Sequence, residues 1–284
     1  MTMRTDLYQG HDYLLMDELL TEEHRLIRDT ARAWVKQEVS PIIEDAAERC
    51  EFPKHLLPGL GEIGAFGPYI PEEYGGAGLD QIAYGLIMQE LERCDSGLRS
   101  TASVQSSLVM YPIWKYGSEE QKQKFLPKLA TGEWMGCFGL TEPDHGSNPG
   151  GMVTNYKEDG DHVILNGAKM WISNSPFAQL AVVWAKNEEG RIHGVIVERG
   201  MEGFSTPTMK GKWSLRASEL LERSALLTVG VWAGTLYIAK PERIEVANLG
   251  GVVTSTLPFM DLSLIHISEP TRRYAISYAV FCLK

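Results

Sequence analysis

Cys137–Gly151 reads CFGLTEPDHGSNPGG, and Lys169–Pro176 reads KMWISNSP. The first is an apolar run that breaks into a Thr-Glu-Pro turn and a Gly-Ser pair. The second is an apolar run that breaks into a polar turn. Glycine lets a backbone approach a ligand closely, and proline cannot continue a hydrogen-bonded ladder. Each segment therefore ends in backbone N–H groups free to face something other than a sheet. Alone, either is an ordinary strand and turn. Their joint occurrence, in this order and at this spacing, argues against that ordinary reading.

Outward from these segments, the period of the sequence changes at Gly132. Before it the pattern is helical. Glu22–Val39 sets Ile27, Ala31, Trp34 and Val35 on one stripe with charges opposite, and Pro41 breaks the chain before Ile42–Arg49 resumes. Gln81–Arg93 turns Ile87, Met88 and Leu91 inward, and the charge-poor Leu98–Tyr116 reads as a buried helix. Ser118 with Gln121 forms a capping box for Glu119–Ala130, and Gly132 stands where a C-terminal cap belongs. After Gly132 come short β-type runs at Met135–Thr141, Val153–Glu158, His162–Asn166, Lys169–Ser173, Leu180–Ala185 and Ile192–Glu198. Asp159-Gly160 and Asn166-Gly167 read as tight turns between strands. The fold class is α+β, with a helical domain over 1–132 and a β domain over 133–218.

Composition narrows the function classes. Over 284 residues the formal charge is −10, which gives no basic patch for nucleic acid or an anionic membrane. No run approaches the roughly 20 apolar residues of a membrane span. The N-terminal stretch lacks a secretory pattern, and Asp6, Asp12, Asp17 and Glu18 argue against a transit peptide, so a cytoplasmic protein is expected. Cys50, Cys94, Cys137 and Cys282 have no metal-type spacing and read as buried free thiols. His145 reads as a turn residue, His162 as exposed, and Glu142 as a carboxylate that caps or orients its loop.

Four blocks, in order, carry a family resemblance. They are PEEYGGAGLD at Pro71–Asp80, the run ERCDSGLRSTASVQSS onward from Glu92 to Trp134, the two strand ends above, and WSLRAS at Trp213–Ser218. Over roughly Leu20–Ser218 the chain resembles the acyl-CoA dehydrogenase family, and within it the glutaryl-CoA dehydrogenase branch. That resemblance implies a helical N-terminal domain, a β-barrel-like middle domain and a C-terminal four-helix domain, with FAD between them. It implies that Phe138, Leu140, Thr141, Gly146, Ser147, Trp171, Ile172 and Ser173 bind the cofactor, and that Ser147 also serves CoA. The family usually has Thr where Ser173 stands, which keeps a hydroxyl, and Asp where Asn148 stands.

Arg99 is the substrate-defining residue implied by the resemblance, with Ser100 and Ser103 beside it. A carboxylate at the far end of a dicarboxylic acyl chain is costly to bury unless paired, and a guanidinium is a bidentate partner. Charge pattern alone instead reads Arg99 as a helix-start arginine paired with Asp95. The implied reaction is dehydrogenation, with decarboxylation, of glutaryl-CoA to crotonyl-CoA. Electrons pass to an electron-transferring flavoprotein, and the family is usually homotetrameric. An acyl-CoA oxidase-like relative and a catalytically inactive fragment are the alternatives.

The C-terminal four-helix domain, which supplies the catalytic Glu in that branch, is not recognisable, so no catalytic base is assigned. Similarity stops at Ser218. Glu219–Asp261 does not read like the family's closing strands and is left unassigned, with a frameshift or join near Ser218 as the hypothesis. Glu219, Glu222, Glu242 and Glu245 read as surface charges. Leu262–Lys284, LSLIHISEPTRRYAISYAVFCLK, resembles the translation of a transposase-type sequencing adapter with three barcode codons at Arg273–Ala275. Resequencing the locus from the Lys212 codon onward tests both ideas; finding the adapter-like codons in genomic DNA would refute the second.

Overall fold

The computed structural model describes residues 11–159 and 162–219, and the backbone of the strands at 224–232, 244–247 and 253–257. The adapter-like tail with Cys282, and the side chains of His162, Glu222, Glu242 and Glu245, lie outside the described residues.

Two helix starts are tied to each other. Helix α1 (Glu22–Trp34) is capped by Thr21, whose hydroxyl accepts the His24 N–H at 3.1 Å, while the His24 ring accepts from the Thr21 N–H. His24 thus takes the place of the usual Glu or Gln of a capping box. Its other ring nitrogen lies 2.9 Å from Asp80, and Asp80 itself caps α4 (Gln81–Cys94) by accepting the Ala83 N–H. Burial raises the Asp80 pKa, but the Ala83 N–H and His24 outweigh it and the carboxyl titrates below its ordinary value.

Helices α1 and α4 pack together around Glu90, which is fully buried. Its carboxylate accepts two bonds from Arg32, both at 2.9 Å, and one from Arg93. Both arginines keep a partly exposed edge, 26% and 19%. Glu90→Gln should therefore cost about 2 kcal/mol: charge-assisted bonds are lost, but the arginines can turn to water. Urea unfolding checks this; a loss below about 0.5 kcal/mol, the range of an ordinary surface change, would make the pair merely incidental.

The remaining described helices are α2 (Ile43–Arg49), α3 (Leu57–Glu62), α5 (Ser96–Ser103), α6 (Tyr111–Tyr116) and α7 (Glu119–Ala130). The segment from Ser96 to Tyr116 is helical throughout, with a π-helical stretch at Val104–Met110, and most of it is buried, as its apolar composition predicts. The Ser118–Gln121 capping box is present. Gly132 has φ +76°, and a Cβ there would lie 2.7 Å from the Leu57 carbonyl oxygen, so the glycine at the domain turn is required.

The strands are β1 (Gly136–Gly139), β2 (Asn155–Asp159), β3 (His162–Lys169), β4 (Leu180–Lys186), β5 (Ile192–Glu198) and β6 (Ser224–Trp232). They form a mixed six-stranded sheet in which β1, β2 and β5 all pair with β4, and β3 joins β2 to β6. β1 runs parallel to β4 with Gly136 opposite Leu180, and β5 runs antiparallel to it. Continuous apolar runs in β4 and β5 suit strands buried on both faces. A separate antiparallel pair joins β7 (Ile244–Ala247) and β8 (Val253–Leu257).

Four expectations are corrected. Asn166-Gly167 is no turn: β3 runs straight through it, with the register shifting between Leu165 and Gly167, so the glycine serves a bulge. Lys169–Ser173 is no strand beyond Lys169, because Trp171 takes φ +59° and turns the chain. Cys50 is exposed, capping α2 at φ +57°, rather than buried. Residues 224–232, left unassigned beyond Ser218, form β6 against β3; the apolar run SALLTVGVW is what such a strand needs.

Candidate functional site

The site grows from two places where the sheet stops. β1 continues as Leu140–Thr141, and β3 ends at Lys169. The two chains meet through one backbone bond, Met170 N–H to the Thr141 carbonyl at 2.9 Å. Just past it, Trp171 is held in the left-handed region and is 48% exposed. A large aromatic in a costly backbone conformation and half in solvent makes this turn the candidate surface.

The loop between Glu142 and Met152 is folded back on a buried ion pair. Glu142 accepts the Val153 N–H at 2.7 Å and the Thr154 N–H at 3.0 Å. Lys169 donates to Glu142 at 2.9 Å and to the Leu140 carbonyl at 3.0 Å. Both side chains are 1% exposed. Burial works against the Glu142 carboxylate, but Lys169 and the backbone donors overcome it, and the carboxyl titrates below its ordinary 4.5. Burial pushes Lys169 from 10.5 down to about 8, with Glu142 offsetting only part. Within the loop, Glu142 and His145 exchange backbone bonds, and a Cβ on Gly151 would lie 2.6 Å from the His145 ring, so the turn is closed tightly.

Residues inferred for the cofactor divide by exposure. Trp171 and Ser147 are exposed, while Gly146 and Ser173 are half-buried, Gly146 lying close to the Thr141 methyl. Thr141 is 5% exposed. Phe138 and Leu140 are buried in the main core, Phe138 edge-on to Trp184. Ile172 is buried in the second core with Tyr156 and Val183. The side chains of Phe138, Leu140 and Ile172 thus shape this surface from behind.

Arg99 lies on α5, and its partner is Glu92, at 2.6 Å, rather than Asp95. Asp95 is occupied as the cap of α5, accepting the Leu98 N–H. Arg99 also reaches the Ser103 hydroxyl at 3.3 Å. Ser100 and Ser103 are buried, and Ser103 donates to the Ser100 carbonyl. Asn174 joins this helix to the turn after Trp171. Fully buried at φ +68°, it donates to the carbonyls of Thr101 and Gly136. Asparagine tolerates the left-handed region better than most residues.

Sequence reasoning left Glu142 without a specific partner and did not single out Lys169 or Asn174. The available signal was a lysine inside the apolar strand that follows a Thr-Glu-Pro turn, since a buried lysine requires a counter-charge. Among the described residues, no group of three or more His, Cys, Asp or Glu could hold a metal ion. No described helix is long and apolar enough to cross a membrane.

This geometry coincides with two family matches. The acyl-CoA dehydrogenase N-terminal domain matches residues 21–133, and the acyl-CoA dehydrogenase middle domain matches 137–224. The chain belongs to the acyl-CoA dehydrogenase family. A probable acyl-CoA dehydrogenase of Bacillus subtilis is 38% identical over 210 residues, 72% of this chain and 55% of that protein. The short-chain specific mitochondrial acyl-CoA dehydrogenase of Rattus norvegicus is 36% identical over 203 residues, 70% of this chain and 49% of that protein. A crystal structure of a glutaryl-CoA dehydrogenase from Mycobacterium smegmatis, in complex with FADH2, superposes with a TM-score of 0.77 at 42% identity. That match covers 80% of this chain and 58% of the other. The chain thus spans about half the length of the curated relatives it matches.

Proposed function

We propose that this chain supplies the N-terminal and middle domains of an FAD-dependent dehydrogenase of dicarboxylic acyl-CoA thioesters, glutaryl-CoA foremost. The observation that carries the cofactor half is Trp171. Its exposed indole follows directly on the Met170–Thr141 backbone bond, and Gly146 lies close to the Thr141 methyl, so an aromatic face stands beside a turn that carries backbone donors. A flavin ring presents a flat face with polar edges, so the residues present fit the group. Thr141, Ser147 and Ser173 would supply hydroxyls, Gly146 its backbone, and Trp171 the stacking face. FAD, when bound, accepts the hydrogen that leaves the acyl chain. The chain's own task would be to present the Thr141 and Trp171 strand ends to it and to exclude water on the Trp171 side.

Arg99 carries the substrate half. Its Nε and one terminal nitrogen serve Glu92 and Ser103, and among the described residues its second terminal nitrogen has no partner. That leaves a donor for a terminal carboxylate. In an intact enzyme containing these two domains, Arg99→Leu should cut kcat/KM for glutaryl-CoA by about 100-fold or more, about 3 kcal/mol for a lost charge-assisted pair, while butyryl-CoA changes less than about fivefold. Equal losses on both substrates would sink the assignment. No base for the α proton is assigned among the described residues. Glu142 is committed to Lys169 and two N–H groups, and Glu90 to two arginines.

An electron-transferring flavoprotein as acceptor and a homotetramer complete this reading. The direct test is reconstitution with FAD followed by anaerobic glutaryl-CoA. A flavin spectrum that substrate bleaches supports the dehydrogenase. A flavin-binding chain that releases peroxide in air supports the oxidase-like reading. A chain that takes up no FAD overturns the cofactor assignment.

A further inference from the structure

The Glu142–Lys169 pair is buried, closely bonded and has no part in the chemistry above. Two unlike charges removed from water rarely improve stability over an apolar pair of the same volume. What they do here is connect. Lys169 Nζ bridges the Leu140 carbonyl and the Glu142 carboxylate, and that carboxylate holds the Val153 and Thr154 N–H groups. Both ends of the Glu142–Met152 loop are therefore tied to the last residue of β3. The residue next to Lys169 in sequence, Met170, donates to the residue next to Glu142, Thr141. One position further is Trp171. The pair thus lies behind the exposed surface, within two residues of Thr141 on one side and Trp171 on the other.

We propose that Glu142 and Lys169 are positioning residues: a buried clasp that fixes the Thr141 backbone and the Trp171 turn in their ligand-ready arrangement before any ligand arrives. This rests on the cofactor reading for what the surface receives, but the clasp itself is a property of the chain alone. A rigid, preformed surface loses less freedom on binding and so binds more tightly. Replacing both partners with uncharged residues of similar volume removes the connection without leaving an unpaired buried charge. A purely structural role predicts that such a replacement is tolerated in binding as well as in folding; a positioning role predicts that the two separate.

The experiment uses the full chain, wild type and the double variant Glu142→Gln/Lys169→Met, with Lys169→Met alone for comparison. Melting temperature reports the fold. Amide hydrogen exchange of the Met170, Val153 and Thr154 N–H groups reports the clasp, with α7 as internal reference. Fluorescence titration with FAD reports the surface. The double variant should melt within a few degrees of wild type, exchange these three amides at least tenfold faster with α7 unchanged, and bind FAD at least tenfold more weakly. Unchanged exchange at the three amides would overturn the clasp. Faster exchange with FAD affinity within twofold of wild type would also overturn it as a positioning device. If the wild-type chain binds no FAD, the cofactor reading fails, and the exchange rates alone decide the clasp.

Discussion

Lys169→Met alone is expected to destabilise the chain by about 3–5 kcal/mol at pH 7, because it leaves Glu142 charged and buried without its partner. Glu142 is 1% exposed and already lies in a site where burial works against its charge. Two backbone N–H groups remain, but they do not carry a full counter-charge. Glu142→Gln should cost less, since a lysine whose pKa burial has already lowered to about 8 can lose its proton at modest cost. The pH dependence has a fixed sign. Glu142 titrates lower in the folded chain than unfolded, so its contribution is present above its ordinary 4.5 and lost as pH falls through the lower folded value. Once pH falls below the ordinary 4.5, the stability gap between wild type and Glu142→Gln should therefore shrink. For Lys169 the unfolded chain keeps its proton up to the ordinary 10.5, so raising pH from about 8 toward 10.5 favours folding through this group. Chemical denaturation from acid to alkaline pH measures both. A gap that widens in acid would contradict the assignment of Glu142 as a stabilised carboxylate.

Gly167→Ala is expected to cost about 3 kcal/mol or more. Gly167 sits in the β3 bulge at φ +152°, where L side chains are strained. A Cβ there would lie 2.4 Å from the Thr154 hydroxyl and 2.7 Å from the Thr154 Cα. Overpacking of this kind costs about 1–3 kcal/mol, and the backbone strain adds about 1–2. Thr154 is also one of the two residues whose N–H groups bind Glu142, so a shift there propagates to the ion pair. Thr154→Ala in the same chain should recover only part of the loss, because removing the hydroxyl leaves the clash with the Thr154 backbone in place. A loss below about 1 kcal/mol for Gly167→Ala would mean that the bulge can relax sideways.

The helical domain was legible because its signals are local. The Ser118 capping box, the inward Ile87, Met88 and Leu91 of α4, and the glycine at 132 each act within a few residues of themselves. The β domain was legible as strands but not as a path. Asn-Gly at 166–167 carries a strong turn signal, yet pairing of β3 with both β2 and β6 overrode it and made a bulge. The residues after Lys169 look like a strand in composition; the left-handed Trp171 turns the chain, and Asn174 holds the turn through side-chain bonds to the distant Thr101 and Gly136 carbonyls. For the same reason Arg99 pairs on charge pattern with Asp95, one helical turn away, when its partner is Glu92 on the preceding helix. Partners set by tertiary packing leave weak marks in sequence. The acidic partner of Lys169 is an example: the lysine sits in an apolar strand, and Glu142, 27 residues earlier, is brought to it only by the fold.

The parallel pairing of β1 with β4 has a consequence for the order of assembly. The Met135 N–H donates to Gln179, 44 residues further along the chain, and β1 can dock only after that span has closed. The β2–β3 hairpin and the capped helices need no such closure. Long loops lose entropy before their contacts return any, so pairings between distant segments form late. The surface around Thr141 and Trp171 hangs on that late pairing. In a refolding time course, protection of the β1 amides should trail that of α7 and of the hairpin, and the ability to hold a ligand should arrive last of all.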